Sequence, residues 1–495
     1  MSSLIIPFPT DLRPRLPTIV GNVDYLTLCQ RLEQIESLLQ ASGLEADFVE
    51  KALQGWLKPK PASRPPTARQ QQQFQLRSRR ALRCTILRTL LQEDYRGFSC
   101  ALAGSPLYQW FCLVDALEEV RVPSKSELQR FAHWLEAAQM RQMVERLLLA
   151  GLDPADPLDL KEPVDLEEYF VDTTALKANV HFPVDWVLLR DATRTLMKAL
   201  TLIRREGLKA RMEPPAEFLR RINRLCIEMT HSRRKPESRK ERKRVLRGMK
   251  KLVKVVGRHA RKHRDLLDQE WKKTDWTRRQ ADQVLGRIDQ VLELLPRAQK
   301  QAHERIIGER KVDNAEKILS LYEPNIQVLV RGKAGAEVEF GNKLLLGENR
   351  QGIILDYQLW PESVPADASV LVESLERVVV GLKRKIGAVG SDRGFASKAN
   401  SGGLAWAEIF DGLCPKSPAA LKERMKEPRF VRMQKRRSQT EARISILQRG
   451  FLGRPMRAKG FAHRELAVAW GVLTHNLWML ARLKREKKEL LRLAA

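Results

Sequence analysis

Three acidic residues stand where the local pattern could bring them to one place. Asp172 follows the apolar run Tyr169, Phe170 and Val171, which reads as a buried strand ending at the acid. Asp392 follows IGAVGS, a second short strand. Glu441 lies in RRSQTEARISILQRGF, a helical pattern with Ile444 and Leu447 on one side and Arg437 one turn before it. Strand ends at one edge of a mixed sheet and one face of a packed helix can converge. Three converging carboxylates repel one another, and a hard divalent cation relieves that, with Mg²⁺ the natural choice for all-oxygen ligands and Mn²⁺ an acceptable substitute. Two such ions about 3.5–4 Å apart clamp the attacking and leaving oxygens of a phosphodiester. Any one of these acids alone reads more often as a turn-former or a helix cap than as a metal ligand.

The rest of the chain supplies a matching partner. Its 495 residues carry 89 Lys+Arg against 60 Asp+Glu, a net charge of +29, which points to a polyanion, with nucleic acid ahead of a membrane surface. The 43% hydrophobic content is that of a globular protein and excludes general disorder. The longest apolar stretch, Leu466 to Ala481, is broken by Thr474, His475 and Asn476 and reads as a core helix, so no membrane span is expected. The six cysteines form no CxxC pair, and with the eight histidines they show no zinc spacing. Together with the absence of a secretory signal pattern, this points to a reducing cytoplasm.

The elements fall into an order. Residues 1–75 read as a helix followed by a Pro/Gln-rich linker from Lys58 to Gln73. Residues 76–160 read as a helical region, in which Ser124 and Glu127 form a capping box. Lys125, Gln129 and Arg130 near that helix start would suit a helix-turn-helix, the alternative being a plain helical hairpin. Residues 161–194 hold the first strand. Residues 195–315 form a basic helical insertion whose densest part, 231–280, has 20 Lys+Arg against 6 Asp+Glu. Arg242, Lys243 and Arg244 there are taken as phosphate contacts that add affinity and salt dependence without sequence readout. Residues 316–485 return to strands: IQVLVRG, AEVEFGNKLLLG and GIILDYQLW, then a helix from Ala366 to Lys385, the strand before Asp392 and a helical remainder. Residues 486–495 are a basic tail. Arg331 and Lys333 at a hairpin tip could touch DNA or simply be solvated. Arg393 could pair with a carboxylate or a phosphate. His181 in a loop, and Trp406 and Trp478 in apolar helices, read as structural.

The words around the carboxylates are more specific than the carboxylates. VDTTALKANVHFPVD (Val171 to Asp185), RGKAGAEVEFGNKLLL (Arg331 to Leu346), GSDRGFAS (Gly390 to Ser397), and EARISILQRGFLGRP continuing to WGVLTHNLWMLAR resemble, in order, the motifs of the DDE transposases of bacterial insertion sequences. The likeness spans roughly residues 165–485. It implies an α/β fold with an RNase H-like mixed sheet core, a large helical insertion and an N-terminal all-α DNA-binding region. It implies Asp172, Asp392 and Glu441 as metal-binding catalytic residues, with Arg437 contacting DNA phosphate near the cut. It also implies terminal repeats and target DNA as partners, at least two protomers to join two ends, and a nucleoid location. The related Tyr-Arg-Glu-Lys signature would place Tyr at 434 and Lys at 448; this chain has Gln434 and Gln448, with Arg449 one position late. A non-catalytic DNA-binding derivative and an RNase H-like nuclease without strand transfer are the alternatives.

Overall fold

The computed structural model describes residues 16, 18–58, 65–115, 119–232, 238–333, 336–362, 364–453 and 455–485, with only the backbone of 331–333, 336 and 337. The architecture is mixed α/β, mostly helical, around a small mixed sheet. Among the described residues no helix is long and apolar enough to cross a membrane.

Seven helices precede the sheet: α1 (Val23–Ala41), α2 (Leu44–Leu57), α3 (Ala68–Leu91), α4 (Tyr95–Gly104), α5 (Pro106–Cys112), α6 (Lys125–Phe131) and α7 (Ala137–Gly151). They do not form a tethered module. Leu32, Phe48, Leu82, Phe111 and Leu147 share one buried cluster with strand residues Val171 and Leu345 and with Leu473 of the last helix, α16 (Phe461–Leu483). Burial of each such side chain stabilises by about 1.5–3 kcal/mol, so the helices and the sheet stand together. The glutamines expected in a linker belong to α3, whose start is capped by Thr67 and Gln70 in a reciprocal box; residues 59–64 of that linker lie outside the described residues. The expected recognition helix is seven residues long. Ser124 caps it, while Glu127 turns to Arg77 instead of completing the box. The helix after it, α7, is held against the sheet by Arg141, which reaches Asp356 and the Tyr357 carbonyl.

The strands are β1 (Glu168–Lys177), β2 (Gln327–Lys333), β3 (Ala336–Asn349), β4 (Ile354–Leu359), β5 (Ala388–Ser391) and β6 (Phe410–Leu413). β1 runs antiparallel to β3 and parallel to β5, and β5 runs parallel to β6. β2 and β4 both pair with the other edge of β3, β2 along its first part and β4 along its second. Two differences from the sequence reading stand out. β1 does not end at Asp172: the β-branched Thr173 and Thr174 and the buried Ala175 and Leu176 carry its pairing with β3 on to Lys177. β6 is an additional strand, too short and too rich in Asp and Gly to read as one.

Between β1 and β2 stand α8 (Asp185–Arg205), α9 (Pro215–Ser232), α10 (Arg239–Glu270) and α11 (Arg278–Ile306), packed on one another around their own core of Leu196, Ile222, Met249, Val256 and Ile288. The insertion therefore begins at Asp185, since α8 runs through the expected boundary at 194/195. Asp185 accepts from Gln301 (2.8 Å) and Arg305 (3.0 Å), which joins the first residue of the bundle to its last turns.

Five more helices complete the fold: α12 (Asp367–Leu382), α13 (Lys398–Trp406), α14 (Pro418–Arg424), α15 (Pro428–Leu447) and α16. Trp478 packs on the core as expected, beneath Arg31. Trp406 does not: it is 89% exposed at the end of α13. Asn476 explains the polar break in α16. Its side chain donates to the Ile354 carbonyl (2.7 Å) and accepts from the Ile354 N–H (2.9 Å), which satisfies both backbone groups of β4 inside the core. Segment 486–495 lies outside the described residues.

Candidate active site

Side chains alternate across a strand, so Phe170, Asp172 and Thr174 share one face of β1, and Tyr169 and Thr173 share the other. The second face meets α12: Tyr169 shares a hydrogen bond with Ser374 (2.7 Å), and Thr173 donates to Asp367 (2.7 Å). The first face meets α15. Phe170 clusters with Ala388 and Met433, and Thr174 accepts from Gln448 (3.2 Å). Asp172 lies between these two contacts and so faces α15.

The parallel register brings Asp392 beside it. Glu168 pairs with Ala388, Tyr169 with Val389 and Phe170 with Gly390. Two residues further along each chain stand Asp172 and Asp392, and the charge of Asp392 reaches Asp172. Asp392 sits just past the end of β5, where its Oδ1 accepts from the Gly394 N–H (2.8 Å) and fixes the turn. Gly390 and Gly412 let α15 close on this edge. A Cβ at Gly390 would lie 2.9 Å from the Phe170 ring, and one at Gly412 would lie 3.0 Å from Met433.

Helix α15 supplies the third acid through its spacing. Gln434 donates to the carbonyls of Ser391 (3.2 Å) and Gly412 (2.6 Å), at the ends of β5 and β6. Gln448 donates to Thr174 and to the Ala175 carbonyl (3.1 Å) on β1. Seven residues are close to two helical turns, so 434, 441 and 448 form one line along the helix. Glu441 therefore overhangs the interval between Ser391 and Thr174, where the two aspartates stand. The glutamines found in place of the signature's Tyr and Lys pin both ends of this line to the sheet.

The electrostatics agree with that placement. Asp172 is pushed up to about 7, chiefly by burial and then by the charge of Asp392; Glu441 adds to the rise, while the Thr173 N–H and Arg437 oppose it. Asp172 thus senses Asp392, Arg437 and Glu441 together. Arg437 follows Met433 by one turn, and its Nε is buried with no hydrogen-bond partner. Glu441 itself is exposed, and Arg393 and Arg449 are exposed to either side of the site. Arg449 is the second residue of a π-helical turn, Gln448–Leu452.

The donor set fits a hard divalent cation in type: three carboxylates, one of them desolvated and repelled by its neighbours. The spacing is looser than a formed metal centre. Among the described residues, no three His, Cys, Asp or Glu side chains are grouped closely enough to hold a metal ion.

Other expected residues lie apart. The backbone of Arg331 and Lys333 belongs to the far end of the β2–β3 hairpin, and their side chains lie outside the described residues. Val330 is level with Val338, eight residues along β3 from Leu346, the partner of Asp172, or about 27 Å. Arg242, Lys243 and Arg244 belong to the bundle. Lys243 pairs with Glu309, and Arg244 pairs with Glu228 and Glu241. His181 is exposed between β1 and α8.

Two further carboxylates matter that the sequence does not single out. Glu348, on β3 opposite Phe170, is fully buried and holds α15 through Arg436 (3.1 Å), Thr440 (2.9 Å) and Arg443 (3.2 Å). Asp367 pairs with Lys343 (2.6 Å) and stands beside Asp392 across Gly394, whose Cβ would meet both carboxylates. Spacing could have suggested Arg436, Thr440 and Arg443 as one helix face, but nothing local names their partner. Comparison of the chain with family models, curated proteins and solved structures returns no match.

Proposed function

We propose that this chain is a DNA transposase of the DDE kind, cutting phosphodiesters at the ends of its element and joining the freed 3′-OH to target DNA. One observation carries the reading: the β1/β5 register and the 434–441–448 line of α15 direct Asp172, Asp392 and Glu441 to the same interval at the edge of the sheet. The mixed sheet, with antiparallel β4–β3–β1 continuing into parallel β5 and β6, supports the RNase H-like core that the motif resemblance implies.

Asp172 and Asp392 would hold Mg²⁺ or Mn²⁺, and Glu441 would complete the set from the helix. When bound, the metal supplies charge stabilisation at the phosphate and a nucleophile at neutral pH. The protein's own part is arrangement. Gln434 and Gln448 fix the angle of α15, and Glu348 locks its opposite side. Arg437, with a buried Nε and a field that reaches Asp172, is placed to take a phosphate oxygen of the bound strand. In the metal-free protein, Asp172 holds a proton up to about pH 7, so productive loading competes with that proton and improves as pH rises through 7. The same reading implies element ends and target DNA as partners, a multimer that joins two ends, and residence with the nucleoid.

The test is strand cleavage on DNA carrying the gene's own flanking sequence, with Mg²⁺ or Mn²⁺, comparing wild type with Asp392→Asn. The expected result is site-specific, metal-dependent nicking that falls at least ~10³-fold in the variant while DNA binding persists. Joined products separate a transposase from a nuclease of the same fold. Binding without any metal-dependent cut would instead favour a second reading, a non-catalytic DNA-binding derivative, which the exposure of Glu441 and the loose spacing of the acids also favour.

A further inference from the structure

The bundle carries a surface that the active site does not use. On α10 the buried residues Val245, Met249, Val253, Val256 and Ala260 mark the side that faces the bundle core. Lys240, Arg247, Lys251, Lys254, Arg258 and Arg261 are all exposed, and their spacing places them within an arc of about 80° on the opposite side. They run in one line for about 32 Å, close to one turn of duplex DNA. Among the described residues none of the six is in an ion pair, whereas neighbours off the line are: Arg239 and Lys243 with Glu309, Arg244 with Glu241, and Arg264 with Asp289. The acids of the bundle therefore neutralise part of the flanks and leave the ridge charged, with exposed Lys262 beside it. Asp265, one turn beyond Arg261 and bound to Arg264, ends the line.

We infer that this ridge is a rail for the phosphate backbone of duplex DNA, a second binding surface on the insertion separate from the strand-cutting site. It rests on the DNA reading above for its choice of partner, and the ridge itself argues for that choice over a lipid surface. A helix that lies in a membrane interface needs exposed apolar residues beside its cations, and α10 exposes no large hydrophobic side chain. A straight, unpaired row of Lys and Arg with no aromatic or amide groups binds phosphates without reading bases, so it contributes affinity and salt dependence to any duplex. It also shifts the expected contact away from Arg242, Lys243 and Arg244, because carboxylates already engage Lys243 and Arg244.

The experiment uses the full chain and a duplex of arbitrary sequence, with anisotropy read across a salt series. The variant replaces Lys240, Arg247, Lys251, Lys254, Arg258 and Arg261 by Gln; all six are exposed, and circular dichroism checks its fold. Affinity at fixed salt should fall at least tenfold. The slope of log K against log salt should flatten, by about 5 if all six reach phosphate. A flattening of two or more supports the rail; a smaller one overturns it. A second variant, Arg242→Gln with Lys243→Gln and Arg244→Gln, should keep the wild-type slope, and flattening there instead overturns the placement. Loss of cleavage chemistry in every assay with the rail effect intact would remove the transposase reading and leave the rail. Normal cleavage with an unchanged slope in the six-site variant would do the reverse. Wild-type protein that ignores duplex but binds phosphatidylserine vesicles would overturn the choice of DNA.

Discussion

Helices α10 and α15 look alike in sequence, each dense in Lys and Arg with apolar residues at helical spacing, and the fold uses them oppositely. On α15 three of the cations turn inward, while Arg432 and Lys435 stay exposed. Arg436 and Arg443 close on buried Glu348, Arg436 also lies over the Phe170 ring, and Arg437 enters the field of Asp172. On α10 the cations of the ridge face solvent without partners. The difference lies in what each helix packs against. α15 lies on a sheet that offers Glu348 and exposed strand-end carbonyls. α10 packs on other helices whose carboxylates reach cations beside the ridge, such as Arg244 and Arg264, and leave the ridge itself unanswered. A basic helix is thus a structural part where carboxylates and carbonyls face it, and a binding surface where none do.

Four perturbations test that contrast. The largest effect is expected at Glu348→Gln, which leaves Arg436 and Arg443 beneath α15 without their anion; chemical denaturation should show a loss of ~3–5 kcal/mol. A loss under 1 kcal/mol would mean the inward cations do not hold the helix. Next is Asp172→Asn. The folded pKa of Asp172, about 7, lies above its ordinary value, so the folded state binds more protons between about pH 4 and 7 and loses this stabilisation as pH rises through 7. In metal-free protein the Asn variant should therefore flatten the pH dependence of stability and gain ~2 kcal/mol over wild type at pH 8. An unchanged pH profile would separate Asp172 from Asp392 and Glu441. Gly390→Ala should cost ~1 kcal/mol as its Cβ pushes on Phe170 and Met433. It should also reduce cleavage more than DNA binding, and an equal loss of both would argue against α15 as the carrier of the third acid. The smallest effect belongs to the ridge. The six-site Gln variant of α10 should change stability by less than ~0.5 kcal/mol, since its side chains are exposed and, among the described residues, make no ion pair. A melting curve displaced by several degrees would show that the outer cations are structural after all.

Much of the sheet is readable in the chain. β2, β3 and β4 follow the β-branched runs between glycines, and β5 and α12 follow the pattern on either side of Lys383. The end of β1 is not readable, because Asp-Thr-Thr resembles a strand stop. Only the pairing of Asp172 with Leu346 and Lys177 with Gly341 shows it continuing. The N-terminal helices look separable because Pro and Gln cluster before them, yet their apolar faces belong to the same core as the sheet, a fact that no local window contains. Trp406 is the converse case: its helix is apolar in composition, but Gly402 and Gly403 leave little side chain around it to bury an indole. At the candidate site, the acids and Arg437 are visible from motif and spacing. Glu348 and Asp367 are not, because each is defined by partners far along the chain.

The clasp between Asp185 and Arg305 bears on the order in which the molecule assembles. Asp172 and its partner Leu346 are separated by 346 − 172 = 174 positions. A folded bundle joins 185 to 305 and removes 120 of those positions from the loop that β1 and β3 must close. The closure entropy saved is about 1 kcal/mol, and it is gained only if the bundle, with its short-range helical contacts, forms first. A carboxylate that touches no strand therefore helps set the speed at which Asp172 finds its place.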